Sequence, residues 1–252
     1  KEAITERTKA VIAVHLFGQV IDPRIVDLCQ QNQLVLIEDA AQAHGSSISD
    51  ETGKETFAGA IGDIACFSFF PSKNMAVGGE GGMITTSKQH YAERLNSIVN
   101  HGRSSRIEAQ QLGSNLRMSE VSAAIGSVQL SNLDNWLQRR RNIATRYLQE
   151  CGDNVKLMMP KVRENCQHAW HQFCILVEDE VAFCQHMDEE LIDARVHYPI
   201  PCHKQPVFSD HPQHNVNMTT TDSISNKLVA IPIFHEMRDD EVDRVISALN
   251  SY

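Results

Sequence analysis

The chemistry this sequence can do is concentrated in two segments that each follow an apolar run. The first is Glu38-Asp39-Ala40-Ala41-Gln42-Ala43-His44-Gly45, directly after Leu34–Ile37. A carboxylate at the carboxyl end of a buried strand stands where open α/β sheets receive their ligands. The small alanines beside it let a flat ligand lie close. The second is Ser68-Phe69-Phe70-Pro71-Ser72-Lys73-Asn74, where Lys73 follows a strand-like run from Ile64 to Phe70. A lysine partly withdrawn from water has a lowered pKa and serves as a nucleophile. Read singly, each has a plainer explanation: the acid caps the next segment, and the lysine snorkels its ammonium into water. Glycines 78, 79, 81 and 82 read as a tight, positive-φ connection into the next strand, since no phosphate-loop pattern of glycines is present.

Together the two segments fit one chemistry. A carboxylate facing a pyridinium nitrogen and an amine able to form an imine are what pyridoxal phosphate requires of a protein. The acid keeps the ring nitrogen protonated, so the ring accepts electrons from a substrate carbanion. The lysine holds the aldehyde, yields to an amino donor, and then moves the proton between Cα and the aldehyde carbon.

These residues need a scaffold, and the pattern supplies one. Residues 10–16 read as a buried strand, and Pro23 opens a helix with an apolar stripe to about Gln33. The run 34–37 is the next strand, completing a βαβ unit with a parallel sheet. Residues 46–61 read as a polar surface excursion. Strands follow at 64–70 and 83–86, then helices at 88–100 and 119–151, the second with a break near Asn132 or Asp134. The remainder offers strands at 172–177 and 196–198, helices at 181–192 and 239–249, and a turn-rich loop over 199–221. Two domains are expected, 1–145 and 146–252. Arg139-Arg140-Arg141 reads as a solvated helix face, Trp136 and Trp170 as core anchors, and Cys66 as inert packing inside the sheet.

Composition removes other classes. The chain has 252 residues, 42% of them hydrophobic, and a net charge of −9, against the basic balance a nucleic-acid binder needs. No apolar run approaches the roughly 20 residues of a membrane helix. Seven cysteines without a C-x-x-C pair point to reduced thiols and a cytoplasmic setting. His168 and His171 have i,i+3 spacing, but a strand is expected just after them and no metal is assigned.

The sequence resembles the DegT/DnrJ/EryC1/StrS sugar aminotransferases. The resemblance is carried by VHLFGQ (14–19), IEDAAQAHG (37–45), GDIACFSFFPSKN (62–74), GGEGGMITT (78–86), NHGR (100–103), GSNLRMSEVSAA (113–124) and VHYPIPCH (196–203). It implies an α/β fold: a fold-type I large domain with a mostly parallel sheet, N-terminally truncated here, and a smaller C-terminal α+β domain. It implies a pyridoxal-phosphate-dependent transfer of an amino group, from an amino acid such as glutamate to a nucleotide-linked keto-deoxysugar, by a ping-pong mechanism on a lysine Schiff base.

Carried over by position, Lys73 would be the Schiff-base lysine and Asp39 the partner of the pyridine nitrogen. Gln42 would meet the ring 3-hydroxyl and Ser68 the phosphate. Asn115 would reach that phosphate from the partner subunit of a homodimer with shared active sites. His44, Arg117, Tyr198 and His203 would border the substrate, with His101 in a neighbouring motif. The family's first strands and helix, its phosphate-binding Gly-(Ser/Thr) turn and an aromatic residue over the ring have no counterpart here. Weak cofactor binding and exposed sheet edges are therefore expected of the chain as it stands. The alternative is a non-catalytic, truncated or regulatory member of the same fold; a lyase or dehydratase is a third reading.

Overall fold

The computed structural model describes residues 1–212, 214 and 216–252. It divides into two compact units, residues 1–138 with 162–171, and residues 139–161 with 172–252. The first of the three passages between them, at residues 138–139, falls inside a helix.

The first unit opens with β1 (Ala10–Val14). The helix α1 (Pro23–Gln31) follows, with Pro23 in its first turn and the Asp22 side chain accepting the Arg24 N–H at 3.0 Å. The capping carboxylate spares an orphan donor that the helix cannot satisfy itself. Next come β2 (Val35–Asp39), β3 (Ser47–Ser49), β4 (Glu55–Phe57), β5 (Ile64–Ser68) and β6 (Gly82–Thr85). Helices α2 (Gln89–Val99) and α3 (Glu120–Leu130) follow, then α4 (Leu133–Glu150), which enters the second unit at Arg139.

The main sheet has the order β1-β2-β5-β6. β1 and β5 run parallel to β2, and β6 is antiparallel to β5. The expected surface excursion at 46–61 instead forms strands. β3 and β4 join β8 (Cys166–Gln167), which follows β7 (Leu157–Met158), in a second sheet ordered β4-β3-β8. Their polar sequence hid them: Ser47 is buried and its hydroxyl is spent on Glu55 at 2.5 Å, while Gln167 donates to the same carboxylate at 2.9 Å.

The main sheet is organised by a buried ionisable pair. Ala13, Glu38 and Ala65 are register partners on one face, and all three are buried. Glu38 accepts the N–H groups of Gly59, Ile61 and Gly62 at 2.7, 2.9 and 2.6 Å. The fourth partner is His15. Its Nδ1 accepts the Ile21 N–H at 3.0 Å, so Nε2 carries the proton donated to Glu38 at 2.8 Å. Burial raises the Glu38 pKa, but these bonds overcome it and hold the carboxyl below its ordinary value. The backbone N–H of His15 also donates to the Asp39 carbonyl at 3.0 Å, extending the parallel ladder past the end of β1.

The second unit holds a sheet ordered β10-β11-β9-β7, antiparallel throughout, made of β7 with β9 (Phe173–Val177), β10 (Arg195–Val196) and β11 (Leu228–Ile231). Its helices are the carboxyl part of α4, α5 (Glu180–Glu189), α6 (Thr219–Ile224) and α7 (Asp239–Ser251). Phe173, Ile175, Phe183, Met187, Val242 and Leu249 form its core. Arg140 departs from the solvated face expected of it. It is buried, its Nη1 donates to the Ile233 carbonyl at 2.8 Å, and burial lowers its pKa to about 10. Arg139 and Tyr147 serve the same segment, donating to the carbonyls of Met237 and Pro232 at 2.6 and 2.9 Å. A long cation one turn from solvent was drawn inward by carbonyls that follow a strand about 90 residues later. Among the described residues no helix is long and apolar enough to cross a membrane.

Two stability predictions follow from these contacts. Replacing Glu38 by Ala strands buried donors, and chemical denaturation at pH 7 should show a loss of about 3–5 kcal/mol. The folded carboxyl titrates below the ordinary value near 4.5. Its contribution is therefore complete above that pH and lost as the pH falls further, so the gap between the two proteins narrows in acid. Tyr147→Phe leaves only the Pro232 carbonyl unpaired and should cost about 1–3 kcal/mol in the same assay.

Candidate active site

Successive side chains of a strand point to opposite faces. With Glu38 committed to the buried face, Asp39 emerges on the other. Its register neighbours there are Val14, Cys66 and Ile84. This face is open: Val14 is 47% and Ile84 41% exposed, and Cys66 is exposed as well. Cys66 therefore does not pack inside the sheet. Ala65 and Phe67 take the inward positions, and the period of two leaves the thiol beside Asp39, whose charge, with burial, raises the thiol pKa. Asp39 is half-buried, and its Oδ1 accepts the Ala41 N–H at 3.1 Å. Ala40 and Ala43 are fully buried behind it.

Lys73 reaches the same region from the loop after β5. Its N–H donates to the Phe70 carbonyl at 2.9 Å, closing a tight turn. The residues around the turn, Phe69, Asn74, Met75 and Val77, are buried. Lys73 is half-buried, and desolvation lowers its pKa while the charge of Asp39 works the other way. The charge of Asp39 is thus felt at the Lys73 amine. The glycine run makes this loop possible: Gly78 has φ +75°, and a Cβ on Gly81 would come within 2.5 Å of Val77.

The other expected residues fall into three groups. Gln42, His44 and Ser68 belong to the same loop ends as Asp39 and Lys73. Gln42 Oε1 accepts the Phe17 N–H at 2.6 Å. His44 is buried against the rings of Phe67 and Phe69, with centroids 5.5 and 5.9 Å away. Desolvation, against a raising effect of the Ser68 backbone, brings its pKa down to about 4, and the charge of Lys73 adds to the fall. Its ring is neutral at physiological pH. Ser68 Oγ accepts the Phe70 N–H at 3.3 Å.

Asn115 and Arg117 are exposed on the segment after α2, where Arg117 Nε donates to Asn115 Oδ1 at 2.9 Å. Arg117 borders a groove of about 740 Å³ whose walls include Cys66, Met83, Ile84, Leu95 and Val99. Tyr198 and His203 lie in the second unit. His203 Nε2 is 3.0 Å from Asp222, whose carboxyl Lys204 also engages at 2.8 Å and holds below its usual range.

Sequence reasoning missed the pair His15 and Glu38, which fixes the strand that carries Asp39; the signal was an ionisable residue at an inward position of each of two adjacent apolar strands. Trp170, expected as a core anchor, is buried. His168 Nδ1 accepts the Trp170 N–H at 2.9 Å and the two rings stack at 4.0 Å, so this histidine is occupied locally. Among the described residues no group of three or more His, Cys, Asp or Glu could hold a metal ion.

Known proteins share this fold. The chain is 41% identical to dTDP-3-amino-3,6-dideoxy-alpha-D-galactopyranose transaminase from Aneurinibacillus thermoaerophilus, over all of this chain and 68% of that protein. Its fold matches DesV from S. venezuelae with a TM-score of 0.93 at 31% identity, covering 99% of this chain and 66% of DesV. NtdA from Bacillus subtilis, solved with bound cofactor PMP, matches with a TM-score of 0.87 at 28% identity, over 99% of this chain and 57% of NtdA. This chain thus spans about two thirds of the length of its transaminase relative and of DesV. The DegT/DnrJ/EryC1/StrS aminotransferase family matches residues 1–250, and the chain belongs to that family.

Proposed function

We propose that the protein is a pyridoxal-phosphate-dependent aminotransferase. In this reading it moves an amino group from an amino acid, glutamate, to the keto group of a nucleotide-linked deoxysugar. What supports the reading is Asp39 at the carboxyl end of β2, whose charge is felt by Lys73, partly desolvated, in the loop after β5. The transaminase relative that acts on a dTDP-linked aminosugar supports the substrate class, and the PMP-bound NtdA supports the cofactor.

The residues present fit that group. Its ring nitrogen calls for a fixed carboxylate, its aldehyde for an accessible amine, and its phosphate for hydroxyl and N–H donors. Asp39, tied by the Ala41 N–H and by the ladder on both sides, supplies the first. Lys73 supplies the second. Ser68, already accepting from Phe70, has a hydroxyl proton to give to the third. Asn115 would add a donor from the partner subunit of a homodimer, and Gln42 would meet the ring hydroxyl. His44, Arg117, Tyr198 and His203 would contribute to substrate binding.

When bound, pyridoxal phosphate supplies an electron-accepting ring that stabilises negative charge on the substrate carbon. The protein's part is to orient and to move protons. Asp39 would face the ring nitrogen as a fixed carboxylate and favour its protonated form. Lys73 would hold the cofactor through its amine and would take and return a proton at Nζ; desolvation enlarges the neutral fraction of the amine that would do both. His44, uncharged in the working range, adds no competing cation beside that amine.

The test is transfer of 15N from labelled glutamate to a nucleotide-linked keto sugar by the full-length gene product. Lys73→Ala should reduce transfer by at least the roughly 10²–10⁴-fold contributed by a positioned acid–base group. Asp39→Asn should lower it by about 10²–10³-fold, the cost of removing one preorganised electrostatic partner. Transfer retained in Lys73→Ala would exclude the reading.

A further inference from the structure

The loop that carries Lys73 is tied to the rest of its unit by the next residue. Asn74 is only 2% exposed, and its Nδ2 donates to the Ala169 carbonyl at 2.9 Å. Ala169, fully buried, donates its own N–H to the Gly18 carbonyl at 3.0 Å. That carbonyl also accepts the Ser46 hydroxyl at 2.5 Å. Gly18 lies beyond β1, Ser46 beyond β2 and Asn74 beyond β5. One bridge therefore joins the exits of all three parallel strands, the exits that carry Asp39 and Lys73. It has little slack: a Cβ on Gly18 would lie 3.0 Å from the Trp170 nitrogen and 3.1 Å from the Ala169 side chain.

Packing alone would not select an asparagine here. Its Oδ1 has no hydrogen-bond partner among the described residues, and a buried acceptor in that state costs about 1–3 kcal/mol. A leucine of similar bulk would carry no such cost. What the asparagine provides is a directed bond, placed one residue from the reactive amine, in a turn whose Pro71 and Ser72 are exposed.

Building on the reading of Lys73 as the cofactor-binding lysine, we propose that Asn74 is a positioning residue. Through its bond to Ala169 it holds the Lys73 amine on the face that carries Asp39. The groups acting on that amine are Asp39 from β2 and the neutral His44 from the following loop.

Competitive labelling of the cofactor-free, full-length gene product with acetic anhydride over a pH series tests this without turnover. In the wild type partial desolvation should bring the Lys73 midpoint down. Two variants break the bridge: Asn74→Ala, and Asn74→Leu, which keeps the bulk without adding a charge but offers no donor to the Ala169 carbonyl. Both should raise the labelling midpoint of Lys73 by about one pH unit, as the amine swings into water, and leave the other lysines unmoved. In the cofactor-loaded protein kcat should fall about 10²-fold, the cost of a misplacement near 1 Å, with KM little changed. If the alanine variant does not fold, the leucine variant gives the same comparison. Variants that melt earlier yet keep the wild-type midpoint would reduce Asn74 to a packing residue and overturn the proposal. Failure of wild-type Lys73 to take up cofactor would count against the aminotransferase reading alone, since the labelling shift does not depend on it.

Discussion

A buried carboxylate determines where the chemistry can occur. Glu38 is closed in by His15 and three backbone N–H groups, and no rotation of β2 can release it without stranding all four donors. The alternation of a strand then leaves Asp39 one place to go, the open face. A slip of register by one residue would exchange the two acids and place an unpaired carboxylate among Ala13 and Ala65. The dipeptide Glu-Asp is thus a division of labour between adjacent residues of the same charge. One carboxylate secures the strand, and the other is left on the open face.

The second requirement is that an amine reach the same face and keep a usable proton affinity. Its two influences are opposed. Withdrawal from water pushes Lys73 down, and the anion of Asp39 draws it up. The balance is set by the loop, which the glycines at 78 and 81 allow to turn back sharply and which Phe69, Met75 and Val77 anchor in the core. His44, pressed against Phe67 and Phe69, sits beside this amine as an uncharged ring. The site is therefore an arrangement of charges held by buried neighbours, on the carboxyl ends of parallel strands where the backbone can turn outward without losing its ladder.

Much of this could be read from the residues. The βαβ unit, the strand before Lys73, the break at residues 131–132 and the final helix follow from apolar period and capping, because those signals are local. The resemblance supplied the roles assigned to Gln42, Ser68 and Asn115, which spacing alone does not carry. What escaped was non-local. The strand Leu228–Ile231 is four residues long and is followed by a proline, and its pairing with Phe173–Val177 and Arg195–Val196 makes it a strand. Arg140 looked solvated because the carbonyl it serves, at Ile233, lies far along the chain. Cys66 was assigned to the wrong face because an apolar strand does not announce its parity. That parity is set by Ala65 lying opposite Glu38.

The central claim is that the amine of Lys73 and the carboxylate of Asp39 serve one ring. Reducing the full-length gene product with borohydride in the presence of pyridoxal phosphate, then mapping its peptides by mass spectrometry, tests it most directly. A single phosphopyridoxyl group on Lys73, lost when Asp39 is replaced by Ala, is the result the structure predicts. A modification spread over surface lysines, with Lys73 unmodified, would contradict it.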